Sequence, residues 1–102
     1  MTHPSKVKGN SFEYELVSVA KGHGLAAQRA YASNGRALGL TEDVDCLIAG
    51  KKIQAKRRKN VAKWLIPEDT VDCVATRPDR GDILIVMKYE TYLEMLKVAA
   101  PL

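Results

Sequence analysis

The stretch DVDCLIAGKKIQAKRRK, Asp43 to Lys59, decides how this chain is read. Asp43 and Asp45 open it, and Lys56, Arg57, Arg58 and Lys59 close it without interruption. Between these charges, Val44 to Ala49 reads as one strand, Gly50-Lys51 as a turn, and Lys52 to Arg57 as the return strand. This is either an ordinary hairpin with a solvated edge or a site that holds a metal beside a phosphate. Strand alternation sets Gln54, Lys56 and Arg58 on one face and Ile53, Ala55 and Arg57 on the other, and Asp43 and Asp45 share a face with each other. A tight turn near Gly50 brings Asp45 opposite the Gln54–Lys56 region, with Asp43 one pleat further out, toward Arg58. One sheet face then presents a carboxylate, an amide oxygen and an ammonium together. An isolated buried charge is costly, whereas an Asp–Lys pair around a metal is a working arrangement.

The rest of the composition sets bounds on this hairpin. A chain of 102 residues implies one domain. Its core is modest, so a dimer or a large partner adds stability. With 46% apolar and 27% charged residues, the chain is globular rather than disordered. The net charge of +4 says less than its distribution: Lys51, Lys52, Lys56, Arg57, Arg58, Lys59 and Lys63 follow one another with no acid between them. Such a local field attracts phosphate, although a bare charge run also suits a solvated face. Cys46 and Cys73 show neither a CxxC pattern nor zinc spacing with His3 or His23, and both sit in apolar runs. They read as buried free thiols of a reducing compartment. No signal peptide is visible, and the longest apolar run, Ile83 to Met87, is far too short to span a membrane. A cytoplasmic protein without a membrane partner is expected.

Residues 1–8 read as a flexible basic tail and 9–99 as a single domain. Phe12, Leu16, Val19 and Ala20 follow helical spacing over Gly9 to His23, with Ser11 or Asn10 as cap and Gly22 or Gly24 as stop. Leu25 to Ser33 is a weak strand, and SNGRALGL after it is a loop. Past the hairpin, RKNVAKWLI is a short helix at best, stopped by Pro67. Val71 to Thr76 is a strand, RPDRGD a turn, and Ile83 to Met87 an apolar strand expected to be buried on both faces. Tyr89, Tyr92, Leu93 and Leu96 form the inner stripe of a closing helix. The order is α-β-β-β-(α)-β-β-α, which is an α/β fold with a mixed sheet flanked by helices.

A second carboxylate comes from the first helix. At about 100° per residue, Glu13 falls inside the apolar arc of Phe12, Leu16, Val17 and Ala20, and Glu15 falls outside it. An acid on a buried stripe needs a metal or a lysine partner, unless it rims the stripe and reaches solvent. Asp and Glu oxygens with water suit Mg²⁺ or Mn²⁺ rather than zinc. Phosphodiester hydrolysis needs an activated water, neutralised transition-state charge and a phosphate held in line. Asp45 and Glu13 can bind the metal. Lys56 can orient or deprotonate the water, or stabilise developing charge. Arg57, Arg58, Lys59 and Lys63 can grip neighbouring phosphates.

An acid entering a hairpin followed by a (D/E)-x-K triplet, here Asp45 and Gln54-Ala55-Lys56, resembles the PD-(D/E)xK nuclease signature. Within it the chain looks like the archaeal-type Holliday junction resolvases and their small phage-borne relatives. GNSFEYEL resembles that family's opening helix, with Gly9 as its glycine and Glu13 as its catalytic acid. RAYAS carries the family's Arg-x-x-x-Ser spacing at Arg29 and Ser33, and VDCLIAG and IQAKRRK resemble its hairpin. DCVATRPDRGDILIVM and YLEML resemble the closing strand pair and helix. The resemblance spans most of residues 8 to 97. It implies a restriction-endonuclease-like fold, a homodimer, Mg²⁺-dependent cutting of four-way DNA junctions with one strand cut per subunit, and a cytoplasmic site of action (the host's, for a phage protein). The implied catalytic set is Glu13, Asp45, Gln54 and Lys56, with Glu13, Asp45 and Gln54 as metal ligands and Asp43 as alternate. The implied DNA-facing set is Arg29, Ser33, Arg36, Lys52, Arg57, Arg58, Lys59 and Lys63.

Two positions depart from the family. Gln54 stands where a Glu is usual, and its amide oxygen can ligate a metal but brings no charge. Val44 replaces the proline of the signature. Gln54 raises a second reading, a DNA-binding protein on the same fold that does not cut. A third is a related nuclease acting on flaps, duplex ends or single strands. Trp64, on the short basic segment, reads as packing at the helix or a dimer interface in preference to stacking on a base.

Overall fold

The computed structural model describes residues 4–30 and 41–99, with side chains described from residue 11 onward. The fold is mixed α/β, with two helices and two small antiparallel sheets among the described residues. The elements run α1 (Pro4–Gly22), β1 (Ala27–Arg29), β2 (Cys46–Ile48), β3 (Lys51–Ile53), a 3-10 turn (Lys63–Leu65), β4 (Val74–Thr76), β5 (Leu84–Val86) and α2 (Tyr89–Ala99). The chain divides into two compact units, Met1–Arg57 and Arg58–Leu102.

In the first unit, α1 starts at Pro4, before the expected Gly9. Proline suits a first helical turn because the N–H it lacks there would have no intrahelical partner. The buried stripe is Leu16, Val17 and Ala20, flanked by half-buried Phe12 and Glu13. The helix stops on a left-handed glycine cap. Gly24 has φ +82°, its N–H bonds Lys21 O at 2.9 Å, and Leu25 N–H bonds Ala20 O at 3.1 Å. This pair of bonds satisfies the last carbonyls and tucks Leu25 against the end of the stripe.

The three strands that follow pair in the order β1-β2-β3. The register sets Arg29, Cys46 and Ile53 in one cross-strand row, Gln28, Leu47 and Lys52 in the next, and Ala27, Ile48 and Lys51 in the third. Alternation puts the first and third rows on one face. That face carries Cys46 and Ile48, both fully buried, and α1 packs on β1 and β2. The hairpin turn is Ala49-Gly50 rather than the expected Gly50-Lys51. Both residues have positive φ, +48° and +80°, as a two-residue type I′ turn requires to match strand twist. Alanine pays roughly 1 kcal/mol for that conformation. Ala49→Asn, which makes the favoured Asn-Gly pair, is therefore expected to raise stability by about 0.5–1 kcal/mol, read as a higher urea midpoint at unchanged m.

The second unit holds the β4-β5 pair and α2. Leu93 and Leu96 are buried and Tyr89 and Tyr92 half-buried, so the expected stripe of α2 is core. β5 departs from expectation: Ile83, Leu84 and Ile85 are 66%, 54% and 54% exposed, not buried on both faces. Among the described residues it pairs with β4 alone, and a two-stranded ribbon covers little of its own surface. The five described strands likewise pair in two sheets, all antiparallel, where one mixed sheet was expected. The segment RKNVAKWLI forms only the 3-10 turn, and Trp64 on it is 66% exposed instead of packed in the chain. No helix among the described residues is long and apolar enough to cross a membrane.

Candidate metal and nucleic-acid site

The chemistry-bearing residues of the first unit gather where β2 begins and β3 ends. The observed turn pairs Cys46 with Ile53 at the end of the ladder, and Asp45 stands immediately before Cys46. Its backbone is tied to both neighbouring strands: Asp45 N–H bonds Ile53 O, across from Cys46, at 2.8 Å, and Ala30 N–H bonds Asp45 O at 2.9 Å. Past Ile53 regular pairing ends and a side chain takes over. Asp45 Oδ2 accepts the Ala55 N–H at 2.7 Å. The acid thus holds the middle residue of the Gln54-Ala55-Lys56 triplet. Asp45 is half-buried, whereas Gln54 and Lys56 are exposed on either side of the held residue. Asp43 is exposed on the turn leading into β2.

Glu13 approaches from α1. Its Oε1 accepts from Arg29 Nε at 3.4 Å, with side-chain exposures of 17% for Glu13 and 11% for Arg29. The acid on the apolar stripe therefore has an arginine partner in this structure. The same guanidinium lies over the Tyr14 ring, 4.2 Å from its centroid, a favourable cation–π distance. Nothing in the spacing of Tyr14 and Arg29 announces this contact, which depends on β1 turning back beside α1.

Cys46 sits between the two acids. Its Sγ lies 3.9 Å from the Glu13 carbonyl oxygen. Burial pushes the thiol up to about 11, and the negative charges of Glu13 and Asp45 push in the same direction, against Arg29. Both carboxylates thus act on one buried atom. The consequence for stability has a definite sign. The unfolded thiol ionises near 9.0, while the folded thiol keeps its proton to about 11. Between these values the unfolded chain binds fewer protons, so stability is full below pH 9 and falls as pH rises toward 11. Thermal melts from pH 8 to 11 are expected to show a steeper fall for the wild type than for Cys46→Ala.

Among the described residues no three His, Cys, Asp or Glu side chains gather as a metal cage. The donors on hand are two carboxylates and the Gln54 amide, all oxygen. That set fits Mg²⁺, which is commonly held by one or two carboxylates and completed by water. It does not fit zinc. Of the expected DNA-facing residues, Lys52 is exposed on β3 and Arg57 is exposed at the end of the first unit. Arg58, Lys59 and Lys63 are exposed in the second unit. Arg29 is turned inward on Glu13, and Ser33 and Arg36 lie outside the described residues. No family model, curated protein or solved structure matches the chain.

Proposed function

We propose that this chain is a metal-dependent, structure-selective DNA endonuclease that resolves four-way junctions by paired phosphodiester hydrolysis. The reading includes a restriction-endonuclease-like fold and a homodimer, since paired nicks on a two-fold substrate call for two sites. The observation that carries it is the 2.7 Å bond from Ala55 N–H to Asp45 Oδ2, which ties the acid to the Gln54-Ala55-Lys56 triplet. The half-buried Glu13 on the neighbouring helix and the cationic run from Lys51 to Lys63 support it.

In this reading Asp45 and Glu13 hold the cation, and Gln54 adds a neutral oxygen. Bound there, Mg²⁺ or Mn²⁺ supplies charge neutralisation at the scissile phosphate. Lys56 orients the attacking water and donates to the developing negative charge. Lys52, Arg57, Arg58, Lys59 and Lys63 bind flanking phosphates, which makes affinity fall steeply with salt. The neutral Gln54 favours one second reading, a junction-binding protein that does not cut. The test is a matched set of a four-way junction, a flap and a linear duplex, each with Mg²⁺ or with EDTA. Paired nicks confined to the junction and lost in EDTA are expected. Equal cutting of flap or duplex would make it a related nuclease of other specificity. Tight junction binding without nicks in Mg²⁺ or Mn²⁺ would make it the non-cutting binder.

A further inference from the structure

We propose that Trp64 is a stacking platform for an unpaired base of single-stranded DNA, with Lys59 and Lys63 of the same segment as phosphate ligands. The inference rests on the nucleic-acid reading of the cationic run and is independent of the metal site and of cutting.

Trp64 is 66% exposed, and Val61 and Ile66 are each 55% exposed. Lys59 and Lys63 are exposed on the same segment, and the chain carries no acid from Lys51 to Lys63. A run kept only for solvation does not call for a tryptophan, a residue that is highly buried on average. The backbone under the ring is fixed. Leu65 N–H bonds Ala62 O at 3.0 Å, and Ile66 N–H bonds Lys63 O at 3.1 Å. Leu65 is half-buried and Pro67 buried, so the turn is anchored through its neighbours while Trp64 stays at the surface. A ring on a set backbone loses little freedom when a ligand stacks on it.

The charges around the ring select its occupant. A protein that covered Trp64 would also have to cover the adjacent Lys63, and lysine is depleted in protein interfaces. DNA brings a negative charge with each nucleotide and a flat π face with each base, which matches an indole beside an ammonium. In a paired duplex both faces of each base are covered by its neighbours, and opening a step costs energy. A single strand offers those faces freely. Phosphate contacts alone favour the duplex, whose charge density is higher. Trp64 therefore supplies a preference for unpaired DNA that the cations do not.

Trp64 is the single tryptophan of the chain, so its fluorescence reports on this site alone. The full chain, without metal, is titrated with oligo-thymidine and, at equal phosphate concentration, with a long blunt duplex. Oligo-thymidine is expected to quench the Trp64 emission to saturation, and the duplex to leave most of it. Trp64→Ala is expected to weaken the binding of labelled oligo-thymidine about fivefold or more beyond any effect on the duplex, the lower range for losing one base–aromatic stack. Trp64→Phe, which keeps a ring, is expected to lose less. Lys63→Ala is expected to weaken both DNAs alike and to reduce the salt slope by about one. Oligo-thymidine that binds without moving the Trp64 emission would overturn the platform and leave the nucleic-acid reading standing. Equal quenching by the duplex, or equal weakening of both DNAs in Trp64→Ala, would do the same. If neither DNA binds wild type at low salt, the nucleic-acid reading falls and the platform with it. The wild-type titration decides the matter alone if Trp64→Ala does not fold. Emission that is shielded from water in the free chain and becomes exposed on dilution would place the ring against a second copy, and would also overturn the proposal.

Discussion

Asp45→Asn is expected to leave a four-way DNA junction uncut under single-turnover conditions in Mg²⁺, with a rate loss of at least about 100-fold to 1,000-fold, the scale for losing one electrostatic contributor in a preorganised site. The substitution removes a charge and keeps the shape. It also weakens a second function of the same side chain, because the carboxylate that would hold metal is the one that accepts the Ala55 N–H at 2.7 Å. An amide oxygen can still accept that bond, though without charge assistance. The fold and the path of the triplet are therefore expected to survive, and far-ultraviolet circular dichroism should match wild type. Junction binding in the absence of metal should stay within about threefold, because the cations proposed to grip phosphates are untouched. A cutting rate unchanged in Asp45→Asn would remove this acid from the chemistry.

The largest expected effect on stability is at Ile48. Its side chain is fully buried on the sheet face that α1 covers. Ile48→Ala removes the central apolar group of the first unit and leaves a cavity, a loss of about 2–5 kcal/mol. For a chain of this size that is a large share of the total, since small domains are stable by only about 5–15 kcal/mol. Urea titration should show the loss as a lower midpoint. Lys52→Ala, one cross-strand row away on the exposed face of the same sheet, should stay within about 0.5 kcal/mol of wild type. Equal midpoints for Ile48→Ala and wild type would mean that α1 does not close over this sheet as described.

Much of this architecture was legible before any coordinates. The order of helices and strands follows from apolar spacing, and the α1 stop follows from glycine at a left-handed cap. The hairpin was legible too, but its turn was misplaced by one residue. Gly50 takes the second place of the pair, where a type I′ turn favours glycine, but alanine in the left-handed first place is rare, so Ala49 gave no warning. The small shift matters, because moving the turn by one residue moves every residue of the return strand two places against β2. The exposure of Ile83 to Ile85 was not legible, since an apolar run states its hydrophobicity but not how many strands lie beside it.

The candidate site divides in the same way. That Glu13 needs a partner was readable from its place on the apolar stripe. That the partner is Arg29 was not, because the contact spans 16 residues of sequence and exists only once β1 packs beside α1. Tyr14 gave no signal of its own. Cys46 read as a buried thiol, and it is one, but its position between two acids appears only in three dimensions.

The central claim is that Asp45 and the Gln54-Ala55-Lys56 triplet form one hydrolytic site. The most direct test is the single-turnover cleavage rate of a four-way junction by wild type, Gln54→Glu and Lys56→Ala, side by side in Mg²⁺. Wild type is expected to cut, Gln54→Glu to cut at least as fast with a lower Mg²⁺ requirement, and Lys56→Ala to lose about 100-fold or more. If all three leave the junction intact in Mg²⁺ and in Mn²⁺, the claim is contradicted.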